Sequence, residues 1–120
     1  MTRVWRVENY QGSSPFVEPY FANKPPTGLQ VDRRDDFAHV KESLPWRRVR
    51  FGMTTRENLI EWFGFSLVKE FYKEGYRIVT YIVDDRYVMH SKSRYQLMFD
   101  LDHARLDYEV EENQLMSVWP

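Results

Sequence analysis

The sequence predicts an α+β domain: a mainly antiparallel sheet with two consecutive helices between strands. Three observations lead to it. Helical spacing of apolar residues is clearest in the stretch between residues 55 and 74. Strand-like patterns stand on both sides of that stretch. The chain's 120 residues fit a single domain, 1–120, and leave little room for two. With 42% apolar and 29% charged residues the composition is far from the disordered regime, so a packed core is expected.

The elements follow in order. Arg3 to Glu8 alternates and reads as a half-buried strand, with Trp5 and Val7 on one side and Val4, Arg6 and Glu8 on the other. Residues 9–30 break the pattern with Gly12-Ser13-Ser14-Pro15 and Lys24-Pro25-Pro26-Thr27-Gly28, a long loop that Phe16, Tyr20 and Phe21 could pin to the body. A short helix is possible over Asp32–Glu42, ended by Pro45. Arg47–Met53 reads as a second strand with Val49 and Phe51 on one face. Thr54 with Glu57 fits a capping box, so a helix is expected to about Phe63, stopped by Gly64. A second helix covers Ser66–Glu74, with Leu67, Val68, Phe71 and Tyr72 as its stripe and Gly75 as its stop. Tyr76–Val83 is the strongest strand, rich in β-branched and aromatic residues. Tyr87–His90 and Tyr95–Leu101 are two more, separated by the Ser91-Lys92-Ser93 turn. The segment from 107 to 120 is acidic and is expected to be loosely packed, or held by Leu115, Met116, Val118 and Trp119.

Composition narrows the function classes. With no cysteine there are no disulfides, thiolate nucleophiles or Cys-ligated zinc. The first ten residues lack the apolar stretch of a signal peptide, and no run is long enough for a membrane span. A soluble, cytoplasmic protein with no membrane partner is the expectation. His39, His90 and His103 share no ligand spacing, so no metal is expected. The glycines form no phosphate-binding loop, and Asp84-Asp85 reads as a turn. Charge is uneven. Residues 1–50 carry nine Lys/Arg against six Asp/Glu, residues 51–99 seven against six, and residues 100–120 one against six. The acidic end could meet a basic partner, while the front lacks the dense basic stripe of a nucleic-acid binder. Direct nucleic-acid contact is therefore not expected.

Order and short patches carry a resemblance. Arg-Val-Trp-Arg-Val-Glu at 3–8, Ser14-Pro15-Phe16, Arg50-Phe51-Gly52-Met53-Thr54 opening a helix, Glu74-Gly75-Tyr76 and Tyr95-Gln96-Leu97-Met98-Phe99 resemble small phage and prophage accessory proteins over roughly residues 3–105. The same order resembles a compact, degenerate ADP-ribosyltransferase fold. That resemblance implies an NAD or ADP-ribose site in which Arg6 takes the early cationic position, Thr54 with Thr55 the middle hydroxyl position, and Gln96 the late position. A carboxylate is needed at the last of these, and Gln96 cannot supply its charge.

Three functions compete on this reading. In the first, a non-catalytic phage-type accessory protein binds and modulates a host or defence-system protein, without a cofactor. Its candidate contact residues are Phe16, Tyr20 and Phe21 on the loop and Asp107, Glu109 and Glu111 near the acidic end. The aromatic share of 17% favours it, since aromatic anchors dominate interfaces. The second is an NAD- or ADP-ribose-binding protein, or an ADP-ribosyltransferase-like enzyme, with Arg6, Thr54, Thr55 and Gln96 at the ligand. The third is an acidic mimic that occupies a nucleic-acid-binding protein.

Overall fold

The computed structural model describes residues 1–12, 14, 46, 48–112 and 114. Within them the chain forms six strands and two helices: β1 (Thr2–Glu8), β2 (Val49–Met53), α1 (Arg56–Phe63), α2 (Phe65–Lys73), β3 (Arg77–Val83), β4 (Val88–His90), β5 (Gln96–Asp100) and β6 (Ala104–Val110). All the strand pairs are antiparallel, in the order β4-β5-β2-β1-β3-β6. The α+β class and the two consecutive helices are as the sequence predicts. Most of the expected loop over 9–30, the Asp32–Glu42 helix and Leu115 to Trp119 lie outside the described residues, as do Phe16, Tyr20 and Phe21.

The helices are built by the chemistry of their ends. Thr55, in extended backbone, caps α1 by accepting the Asn58 amide at 3.0 Å. The cap is thus one residue later than the capping-box spacing suggests. Thr54 instead accepts from Asn58 Nδ2 at 2.7 Å and donates to the Arg94 carbonyl at 3.1 Å, tying the helix start to the approach of β5. Gly64, at φ 85°, both ends α1 and precedes α2. After α2, the Tyr76 amide bonds the Phe71 carbonyl and the Gly75 amide bonds the Tyr72 carbonyl, a Schellman closure around Gly75 at φ 88°.

One face of the sheet receives the helices. Leu59, Ile60, Trp62 and Phe63 of α1 and Leu67, Val68 and Phe71 of α2 pack with Val7, Met53, Ile78 and Val110. The opposite face forms its own core from Val4, Val79, Tyr81, Val83, Leu97 and Phe99, and neither described helix packs over it. Connection lengths explain how this face becomes buried. Only residues 101–103 join β5 to β6, which stand four strand steps apart. In a flat sheet that separation is about 19 Å, whereas four backbone links reach only about 14 Å. The sheet therefore curls, and its concave side closes on itself. Tyr81 of β3 meets Phe99 of β5 with ring centroids 5.5 Å apart.

Two short 3₁₀ turns bridge the curl, Asp85–Tyr87 between β3 and β4 and Leu101–His103 between β5 and β6. They lie side by side, because Tyr87 stacks on His103 at 3.6 Å with an interplanar angle of 4°. Buried Asp100 orients the ring, its Oδ2 lying 2.8 Å from His103 Nδ1. Asp84 and Asp85 are the turn formers the sequence suggests. The Arg86 guanidinium holds the Asp84 carboxyl below its usual range, and the Thr2 hydroxyl and then the N-terminal amine do the same for Asp85.

Curling corrects two readings. β1 is central and buried on both faces, rather than half-buried: Val4, Arg6, Val7 and Glu8 are all buried. Part of the acidic end is ordered, since β6 runs through Val110 and includes Asp107 and Glu109.

Candidate functional site

Arg6 leaves β1 on the concave side, in register with Val79. β1 and β2 pair only around Trp5 and Met53 and diverge beyond them. The Arg6 guanidinium fills that divergence, donating to the Phe51 carbonyl at 2.7 Å and the Gly12 carbonyl at 3.0 Å. Its Nε lies 3.9 Å from Glu8 Oε2. Glu8 in turn accepts from the Tyr81 hydroxyl at 2.5 Å. Burial, then the bond to the carboxylate, pushes the Tyr81 hydroxyl well above the ordinary tyrosine range. Backbone carbonyls thus satisfy Arg6 and the Tyr81 hydroxyl satisfies Glu8, with the two opposite charges facing each other, as buried polar groups require. The alternation that put Arg6 and Glu8 on one side could have suggested the ion pair. Tyr81 had no local signal.

On the helix side of the same divergence lies a cavity of about 430 Å³. Trp5, Phe51, Trp62 and Phe63 give it aromatic walls, and Arg6, Arg50 and Gln96 are among its polar lining residues. Gln96 is 2% exposed and stands in register with Met53, which places its side chain toward α1. The structure therefore brings Arg6 and Gln96 to one cavity from opposite faces of the sheet. Thr54 and Thr55 do not line it; their hydroxyls are engaged at the start of α1. Among the described residues no cluster of His, Asp or Glu could hold a metal ion. No described helix is long and apolar enough to cross a membrane.

The acidic candidates lie elsewhere. Asp107 pairs with Arg3 at 3.0 Å, Glu109 pairs with Arg77, and exposed Glu111 donates its amide to Gln114 Oε1 at 3.0 Å. Asp107 and Glu109 sit on β6, which pairs with β3 and forms one end of the described sheet. Alternating with these acids, β6 exposes Leu106 (59%) and Tyr108 (44%). Sequence reasoning missed both, although Ala104 to Val110 alternates apolar and charged residues throughout. The signal was present and was hidden by the stronger impression of net charge. A register shift opposite Thr80 and Tyr81 leaves Asp107 as the extra residue of a bulge.

Comparison with curated proteins gave no match, and comparison with solved structures gave none. The expected likeness to the ADP-ribosyltransferase fold therefore has no structural neighbour behind it. The phage resemblance fares differently. A family model described as Bacteriophage T4 Y00F protein matches residues 1–113, which takes in every strand and helix from β1 to β6. On that match, the chain belongs to the Bacteriophage T4 Y00F protein family.

Proposed function

We propose that this phage protein is non-catalytic, and that it binds and modulates a host or defence-system protein through β6. The observation that carries the reading is the pair Leu106 and Tyr108. Four large apolar side chains are exposed among the described residues, and two of them stand two positions apart on this one strand. Carboxylates of Asp107 and Glu109 interleave with them, and Glu111 follows. Apolar anchors ringed by charge are the pattern of an interface that must stay soluble while free. The bulge at Asp107 and the acids also discourage strand-to-strand polymerisation along the edge. The bulge also turns Leu106, opposite Tyr81, and Tyr108, opposite Thr80, to the two faces of the strand, and both side chains stay exposed there, so a partner clasping this edge meets one on each side.

The candidate ligand residues support a non-catalytic role. Arg6, which a nucleotide phosphate would need, is bonded to two backbone carbonyls and faces Glu8. Thr54 and Thr55 serve the start of α1. The test is affinity capture from host lysate with the wild type and with Leu106→Lys/Tyr108→Lys. One host protein recovered at near-stoichiometric yield by the wild type, and lost from the equally folded double variant, is expected. Equal recovery by both contradicts the assignment to β6.

A further inference from the structure

We infer that the cavity between α1 and the diverging parts of β1 and β2 is a binding site for a small ligand with an aromatic body and one anionic group. This site is separate from β6 and stands or falls without it. The argument begins with why the space exists. Past Trp5 and Met53 the two strands no longer pair, and α1 crosses above the opening with Trp62 and Phe63. The Arg6 guanidinium bonds to the Phe51 carbonyl, which satisfies that group without closing the space. The resulting volume of about 430 Å³ falls within the range of small-molecule sites.

The walls then define the ligand. Trp5, Phe51, Trp62 and Phe63 offer aromatic faces and edges, which suit a planar ring system. The charged residues among those described in the lining are both arginines, Arg6 and Arg50. Glu8 lies near Arg6 and offsets its charge. Arg50, in register with Phe99, leaves β2 on the concave face as Arg6 leaves β1, and reaches the cavity through the same divergence. It is bonded to the carbonyl of its own neighbour, Val49, at 3.0 Å, and no carboxylate pairs with it among the described residues. The described lining therefore carries an excess of positive charge, and Arg50 is the group within it that can meet an anion through a charge-assisted hydrogen bond.

The test uses the full chain and anilinonaphthalene sulfonate, an aromatic anion, titrated beside the neutral N-phenylnaphthylamine. Binding is read from dye emission and from energy transfer out of tryptophan, below the cooperative unfolding temperature. Saturable binding of one sulfonate per chain is expected, about tenfold tighter than the neutral amine. Arg50→Gln should weaken the sulfonate by about fivefold to tenfold and leave the amine unchanged. Val49→Trp, which fills the cavity from its β2 side, should weaken both dyes. The inference is overturned if the folded wild type shows no saturable binding, or if Arg50→Gln leaves the preference for the sulfonate intact. Undiminished binding to a folded Val49→Trp chain also overturns it. Should that variant fail to fold, the Arg50→Gln comparison decides alone.

Discussion

The Arg6–Glu8–Tyr81 cluster places a cation, an anion and a phenol inside a curled sheet, and each depends on the others. Removing one partner of a buried ion pair leaves the other charge without compensation, at a cost of about 3–5 kcal/mol. Glu8→Leu should therefore lower stability by an amount of that order in urea denaturation. Arg6→Met/Glu8→Leu should recover part of the loss, because it removes the stranded cation as well. Additive losses in the double variant would show that Arg6 acts mainly through its carbonyl bonds. The tyrosines make a second prediction. Burial, ahead of its other interactions, raises the Tyr72 hydroxyl to about 12, and it donates to the Val110 carbonyl at 2.6 Å. Tyr81 is raised as well, by burial and by Glu8. Above the ordinary tyrosine value of 10.0, the unfolded chain loses these protons while the folded chain keeps them. Their stabilisation is fully present below that pH and is lost as pH rises through the folded values. Urea midpoints should accordingly fall between pH 10 and pH 12, roughly the window between the two states of Tyr72, and Tyr72→Phe/Tyr81→Phe should flatten that fall.

Among the elements, β2 shows how one glycine permits a close approach. A Cβ on Gly52 would stand 2.3 Å from Val4 Cγ1 and 2.9 Å from the Trp5 carbonyl oxygen. Gly52→Ala should cost about 1–3 kcal/mol or more by overpacking. Adding Val4→Ala should relieve only part of it, since the Trp5 backbone cannot yield as a side chain can; full rescue in thermal melts would contradict the geometry. This constraint was invisible in the sequence, where Gly52 is simply a residue within an apolar run. What was legible was periodic. The stripes of α1 and α2, the β-branched run of β3 and the stop at Gly75 all follow from local spacing and backbone chemistry. The helix cap was misplaced by one residue because Thr54 and Thr55 are equally good caps in isolation; a contact with Arg94, forty positions on, decides between them. β6 was overlooked although its alternation is complete, since its charges suggested a solvated tail.

At the scale of the whole molecule, the curl of the sheet decides what is inside and what is presented. Because 101–103 must span from β5 to β6, the concave face packs against itself and Arg6 disappears into it. No local pattern in β1 encodes that burial, so neither its buried second face nor the absence of Thr54 from the cavity lining could be read from sequence. The same curl leaves β6 at the end of the described sheet, with Leu106 and Tyr108 exposed to solvent beside Asp107 and Glu109. The central claim is that this strand is where a partner docks. Site-specific photocrosslinking in host lysate tests it most directly, with the reactive group placed at Leu106 in one chain and at Glu61, exposed on α1, in another. The account predicts one discrete adduct from position 106 and none from position 61. An adduct from position 61, or none from position 106 while the protein still captures its partner, would contradict it.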